Sequence, residues 1–219
     1  MLATIGVLLI VAVLAAYLLF RGSLPQLNGD VRLAGMSAPA TVERDAQGTL
    51  TITAANALDV SRALGYVHAQ ERYFHMDTFR RLSAGELSEL VSADLVGLDE
   101  AKRLHRIRER IDADPASFLG DYGPELEAYV AGVNAGLADL SVRPWPYFLL
   151  GQKPEPWTVT DSALAGFALF FDLQEGQLEN ELNRWKVKQE VPAALFDFIT
   201  HESTDWDAPL FGESWGYAE

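Results

Sequence analysis

The chain of 219 residues contains no cysteine, which removes disulfides, zinc–thiolate sites and thiol nucleophiles together. Positive charge is also scarce: 17 Lys and Arg stand against 31 Asp and Glu, a net charge of −14. That balance excludes a nucleic-acid partner, because phosphate binding needs clustered basic side chains. It is compatible with calcium, which takes hard oxygen ligands. The chain has four histidines, His68, His75, His105 and His201. His68 and His75 lie seven apart on a predicted helix with Glu71 between them, so they share a face. No third and fourth ligand for a metal presents itself there. What remains is 49% hydrophobic and 22% charged, ordinary for a globular chain with a substantial core.

The absence of cysteine does not decide the compartment; the first residues do. Leu2 to Phe20 is uncharged and, at ~1.5 Å per residue, reaches ~28 Å, close to the thickness of a bilayer's hydrocarbon. It is either a signal peptide or an uncleaved anchor. Only the terminal amine precedes it as positive charge, Arg21 lies beyond it, and a good small-x-small cleavage site is lacking. Residues 1–21 are assigned to export or tethering, with everything from Leu24 onward outside the cytoplasm.

Residues 22–40, with Pro25, Gly29, Gly35 and Pro39, read as a linker without sustained period. Thr41 to Ala54 alternates like a β-hairpin around Ala46-Gln47-Gly48. Asn56 or Asp59 caps a helix whose apolar positions Ala63, Leu64, Val67, Phe74 and Phe79 recur at helical spacing. A break is expected at Gly85, then a connection at 94–97. One basic-faced helix is predicted over 99–113, with Leu104, Ile107 and Ile111 on its buried side. Pro115 opens a further segment. A helix over 124–140 carries the stripe Leu126, Tyr129, Val130, Val133 and Leu137. The connection over 143–160 holds four prolines, which preclude a helix, and Trp145, Tyr147, Phe148 and Trp157 anchor it to a core. Asp161 caps the next helix, whose first half is apolar nearly all round and therefore expected to be buried against something larger than this chain's own elements. Pro192 starts a last short helix, and 201–219 is an acidic tail.

Chemistry is sparse. Gly212-Glu213-Ser214-Trp215-Gly216 fits the G-x-S-x-G nucleophile elbow, but no strand precedes it and no helix or downstream Asp and His follow, so it is read as a chance match. Arg72, Arg80 and Arg81 against Glu71, Asp77 and Glu86 read as helix ion pairs of a structural kind, each worth ~0.3–0.5 kcal/mol when exposed. Glu175, Glu179 and Glu181 form either a solvated face or a set from which one carboxylate reaches a metal or a partner. No complete catalytic constellation exists in these residues.

One ordered run of motifs is more specific than any of these. Val42-x-Arg44-Asp45-x-x-Gly48 with Ile52 is followed by Gly65-Tyr66-Val67-His68-Ala69-Gln70-Glu71-Arg72, Phe74, Met76-Asp77, Arg80-Arg81, Gly85-Glu86-Leu87 and Glu89-Leu90. Tyr129-x-x-Gly132-x-Asn134 and Pro154-x-x-Trp157-x-x-x-Asp161 come later. Across roughly 41–190 the chain resembles the α-subunit of the penicillin acylase family of N-terminal-nucleophile hydrolases. Glu71 stands before Arg72 where relatives often carry Asp, and Leu50 replaces a frequent Pro.

That resemblance implies an α+β fold: a mostly helical α-subunit over 41–200 that completes an αββα sandwich with a separate β-subunit cut from the same precursor. It implies an extracytoplasmic amidase, in the periplasm or beyond, whose nucleophile is the N-terminal serine of the β-subunit, with the α-amino group as base. The tail at 201–219 would lie near the processing site. From this chain it implies an apolar lining for the acyl pocket, with Phe170, Phe171 and Leu173 as candidates. It also implies one carboxylate for a structural calcium shared with the β-subunit, Glu181 first and Glu179 second. The substrate would be an amide with an apolar acyl group, a penicillin side chain or an acyl-homoserine lactone. The rival class is a membrane-tethered helical binding or scaffolding protein without chemistry of its own.

Overall fold

A computed structural model describes residues 2–200 and Phe211. The elements run α1 (Leu2–Gly22), β1 (Thr41–Arg44), β2 (Leu50–Thr53), α2 (Ala57–Ala84), α3 (Leu87–Leu90), α4 (Val96–Arg103), α5 (Ile107–Ala113), α6 (Pro115–Leu119), α7 (Gly123–Asp139), α8 (Pro146–Leu149), α9 (Val159–Glu190) and α10 (Ala193–Ile199). Short 3-10 turns precede α4 and α7. The fold is mostly helical with one antiparallel hairpin, paired Thr41 with Thr53 through Arg44 with Leu50. Two compact units result, residues 1–169 and 170–219. The second contains the rest of α9 and α10. Among the described helices, α1 alone is long and apolar enough to cross a membrane.

The hairpin turn is built by Asp45, whose carboxylate accepts from the backbone N–H of Gln47 and Thr49, while Gly48 takes the positive φ. Asn56 caps α2 by accepting from the Asp59 N–H, and Asp59 instead receives Ser37 from the preceding irregular segment. Hydrogen bonds from Ser37 lead the effects that hold the Asp59 carboxyl below its usual range. Arg44 forms an ion pair with Glu71, so the hairpin is fastened to α2. Residues 22–40 contain no helix or strand beyond the end of α1, yet Gln26 N–H donates to Gln70, whose amide donates to the Gly136 carbonyl.

The body of the first unit is the crossing of α2 and α7. Three glycines let the two backbones touch: a Cβ at Gly65 would sit 2.1 Å from the Tyr129 carbonyl oxygen, one at Gly132 2.0 Å from that of Arg62, and one at Gly136 2.3 Å from that of Tyr66. Real side chains do not approach backbone so closely, so these positions admit hydrogen alone. Around the crossing Ala69, Tyr73, Leu90, Val133, Tyr147 and Trp157 form the core.

Three sequence expectations need correction. The single helix over 99–113 is two helices, because Arg106 adopts φ 52° and turns the chain between α4 and α5. Asp99 holds α4 by accepting from Leu87 and Ser88 N–H, and Arg103 donates to the Gly85 carbonyl at 2.6 Å. Arg108 holds α5 to different partners, described below. Leu104, at the break, is 83% exposed, while Ile107 and Ile111 are buried. Second, four prolines do not exclude a helix from 143–160: one turn, α8, forms with Pro146 first, where its missing N–H is not needed. Third, Trp145 is exposed rather than anchored in the core, unlike Tyr147 and Trp157.

Gly132→Ala is expected to destabilise the protein by about 1–3 kcal/mol, the ordinary cost of overpacking. Gly166→Ala, at a helical glycine with open space around its Cβ position, is expected to be neutral or stabilising by up to ~1 kcal/mol. Urea unfolding midpoints for the pair test the close approach; equal effects would contradict it.

Candidate functional site

The densest polar centre lies where α2 meets the chain entering α9. Its middle is Asp77, fully buried. One carboxylate oxygen accepts from Arg80 Nε at 2.8 Å and Arg81 Nε at 2.9 Å, and the other accepts from the Tyr147 hydroxyl. Spacings of three and four residues put both arginines on the face of Asp77, so one carboxylate gathers two guanidiniums from its own helix.

Each arginine then reaches outward. Arg80 Nη1 donates to Asp161 at 2.7 Å and to the Pro156 carbonyl at 3.1 Å, and its guanidinium lies 5.1 Å from the Trp157 ring centre. Arg81 donates to Glu89 and Glu155. Arg108 on α5 grips Glu86 with two parallel hydrogen bonds at 2.8 Å and touches Asp161 at 3.3 Å. Tyr73 donates to the Glu155 carbonyl. Two buried carboxylates thus face two buried guanidiniums, which keeps the interior close to neutral. Burial opposes the charge on Arg80, but Asp77 and Asp161 outweigh it and hold the guanidinium protonated more firmly than usual. Burial, then the Asp77 charge, pushes the Tyr147 hydroxyl up, so it stays a donor.

Asp161 also starts α9. Its carboxylate accepts from Thr158 N–H at 2.8 Å, and the Thr158 hydroxyl accepts from Asp161 N–H at 3.3 Å. This is a reciprocal capping box with Asp161 in the first turn. Just before it, Asn134 on α7 accepts from Trp157 N–H at 2.8 Å and donates to the Trp157 carbonyl at 2.9 Å. The path into α9 is therefore fixed from α2, α5 and α7 at once. This centre positions a helix; every group has a structural partner, and nothing in it is a free nucleophile or base.

Of the ion pairs read from sequence, Asp77 with Arg80 and Arg81 forms along the helix, in the buried interior, and Glu71 meets Arg72 at 3.9 Å while also pairing with Arg44. Glu86 pairs off the helix, with Arg108. The signal available was Asp77 three and four residues before two arginines; Tyr147 read only as a core anchor and Asp161 only as a cap, and Arg108 carried no sign of its partners. The regular helix that would put His68 and His75 on one face is interrupted between them, where Arg72 takes φ −143°, ψ 22°. His68 Nδ1 meets the Tyr129 hydroxyl at 3.0 Å, and burial, assisted by Arg72, pushes its pKa down. His75 is exposed, with its ring 4.4 Å from that of Phe79. Among the described residues no group of three or more His, Cys, Asp or Glu could hold a metal ion. His201 and the Gly212–Gly216 string lie outside the described residues.

On α9, Leu164, Ala168 and Phe171 are buried while Leu169, Phe170 and Leu173 are exposed. The apolar half of the helix is therefore two-sided, one side buried within the chain and the other exposed. Of the lining candidates, Phe170 (53% exposed) and Leu173 (65%) present surface, whereas Phe171 (8%) has little left to offer. The Phe170 and Phe171 rings stand 5.9 Å apart, edge to face. Glu179 and Glu181 are both exposed. Glu181 borders a shallow hollow with Gln177, Asn180, Asn183, Arg184 and Thr200, a set rich in neutral oxygen donors.

Asp77→Asn, which keeps shape but removes charge, is expected to cost about 3–5 kcal/mol, because two buried guanidiniums lose half of their compensation. Glu89→Gln, whose side chain is 75% exposed, is expected to cost ~0–1 kcal/mol. Comparable urea midpoints for the two variants would show that the buried carboxylate is not the centre of the network.

The penicillin amidase family model matches residues 39–209. The chain is 39% identical over 137 residues to the penicillin acylase 2 proenzyme of Pseudomonas sp. (strain SE83), covering 63% of this chain and 18% of that protein. It is 30% identical over 189 residues to the acyl-homoserine lactone acylase QuiP of Pseudomonas fluorescens, covering 86% and 23%. It thus spans about a fifth of the length of these curated relatives. A thermostable penicillin G acylase from Alcaligenes faecalis has the same fold, with a TM-score of 0.64 at 21% identity over 80% of this chain and 98% of that one. The chain belongs to the penicillin amidase family.

Proposed function

We propose that this chain is the α-subunit of a heterodimeric N-acyl amide hydrolase, cut from a longer precursor and active only with its β-subunit. One observation carries the reading. The chain spans about a fifth of the curated relatives, yet its fold accounts for 98% of one chain in a solved penicillin G acylase. A piece matching a whole polypeptide there is the size of a subunit. Two further points support it: the centre around Asp77 is saturated with structural partners, and α9 leaves Phe170 and Leu173 exposed.

The nucleophile in this reading is the β-subunit's N-terminal serine, activated by its own α-amino group. This chain's part is to exclude water and hold the acyl group. Phe170 and Leu173 line the acyl pocket, with Phe171 packed behind, and the capping box at Thr158 and Asp161 sets where the helix begins. Its substrate is an amide with an apolar acyl group. The two curated relatives point to a penicillin-type side chain and to an acyl-homoserine lactone. The apolar α1 supports a site of action outside the cytoplasm.

A structural calcium belongs to the same proposal. Beside Glu181 lie the amide oxygens of Gln177, Asn180 and Asn183 and the Thr200 hydroxyl, which suit a hard cation, together with Arg184, whose positive charge the cation would have to turn away. This chain supplies a single charged ligand, so the remaining charge comes from the β-subunit. Calcium would tie the two chains together and take no part in the acyl transfer.

The chain purified alone is expected to hydrolyse neither phenylacetyl amides nor long-chain acyl-homoserine lactones, whereas the product of the complete reading frame hydrolyses at least one of them. Activity of the isolated chain, or a stop codon directly after Glu219 in the unprocessed gene, would remove the subunit assignment. In the assembled enzyme Phe170→Ala is expected to shift kcat/KM between short and long acyl groups by about tenfold or more; an unchanged ratio takes Phe170 out of the pocket. A chelator is expected to lower the melting temperature of the assembled enzyme and to have little effect on Glu181→Gln, whose midpoint is already low. Equal chelator shifts in both would exclude Glu181 as a ligand.

A further inference from the structure

The C-terminal end of α1 does not hang free of the folded body. The Gly22 carbonyl accepts from Val142 N–H at 3.1 Å, and a Cβ at Gly22 would stand 2.4 Å from Val142 Cγ2. Ser23 is buried and its hydroxyl donates to the Phe20 carbonyl at 2.8 Å. The Phe20 ring lies 6.1 Å from that of Trp145. Three residues further on, Gln26 is tied to Gln70 on α2. The point where a leader would be cut is thus built into the unit it would be cut from.

A peptidase needs an extended, accessible strand with small residues at the cut. Here residues 20–23 are a helix end and a buried turn, and Phe20-Arg21-Gly22 is not a small-x-small site. The candidate span Thr4–Gly22 is 19 residues long with Arg21 as its one charge, and an 18-residue window of it has mean hydropathy 2.3 and no part buried by protein. Such a surface is stable in hydrocarbon and not in water. Around its exit Tyr17, Phe20, Arg21, Leu24 and Trp145 line a hollow of about 370 Å³, and Leu149, at the end of the one-turn helix that follows Trp145, is 73% exposed. Tyr, Trp and Arg at the end of an apolar helix are the residues that settle at a membrane–water interface.

We infer that α1 is retained in the mature protein as a membrane anchor, and that the body rests its Trp145–Leu149 face on the bilayer surface through this rigid junction. The occupant of the apolar surface is lipid: hydrocarbon along α1, headgroups around Trp145. The anchor is not a flexible tether, because Val142, Trp145 and Gln70 hold the chain within a few residues of its exit.

The test reads location and mass, not hydrolysis, so it stands or falls apart from the catalytic proposal. The complete reading frame is expressed in a Gram-negative host, membranes are washed with alkaline carbonate, and the polypeptide containing residues 22–200 is weighed. Retention in the washed membranes with residues 2–21 present is expected; a soluble polypeptide starting at or after residue 22 overturns the inference. Phe20→Ala with Trp145→Ala, which loosens the junction and places a small residue two before Gly22, is expected to yield a trimmed, soluble, folded product. Full retention of that variant would show that the junction protects nothing. The chain has no cysteine of its own, so Leu149→Cys takes a single fluorophore. In phosphatidylcholine vesicles with a spin label near the glycerol, fluorescence at that position is expected to be lost, and undiminished fluorescence overturns the surface contact.

Discussion

One carboxylate organises the first unit of this chain. Asp77 collects Arg80, Arg81 and Tyr147, and those three carry the contact to Glu89, to the 154–158 segment, to Asp161 and to α8. Burying charge is expensive unless every hydrogen bond is made, and here the pairs are made with short, well-directed partners. The net stabilisation from such a centre is small beside what is lost if one member is removed. Its value is geometric: only one arrangement of α2, α5, α7 and the start of α9 satisfies all the groups together. A hydrophobic core slides; a bidentate guanidinium does not.

The parts of the fold set by neighbours in sequence were legible, and the parts set by distant partners were not. Asn56, Gly48, Gly85, Pro115 and Pro192 punctuate the chain where turn and cap chemistry says they should. The turn at Arg106 and the interruption at Arg72 have no such local sign. The first follows from Asp99 and Arg103 pulling on one helix while Arg108 pulls on the next. For the interruption at Arg72 no local cause is visible. The ion network was visible in its helix-local part, Asp77 with Arg80 and Arg81, but not in its long-range part, since Arg80 and Asp161 are 81 residues apart. On the candidate site the limit was different: periodicity located an apolar half-helix at 162–173, but which of Phe170, Phe171 and Leu173 keeps its surface depends on packing that no spacing reveals.

The motif run that carried the family resemblance turns out to be scaffold. Gly65 and Gly132 admit a helix crossing, His68 rests on Tyr129, Asp77 with Arg80 and Arg81 makes the network, and Asn134, Trp157 and Asp161 deliver the chain into α9. They specify the platform on which a helix is presented, which is why they identify the family while saying little about the acyl group it accepts.

The Asn134 side chain has a consequence of its own. By donating to and accepting from the same residue, Trp157, it offers the chain the two hydrogen bonds that an adjacent β-strand would give, with no strand present. The register at Trp157 is therefore held from one position on α7, while Arg80 and Arg108 hold Asp161 four residues on. The segment between Leu140 and Gln152 is caught on its own account, at Val142 by Gly22 and at Tyr147 by Asp77, so changes of length are absorbed only between those fixed points. A change of length that left those points in place would deliver α9 to the same position.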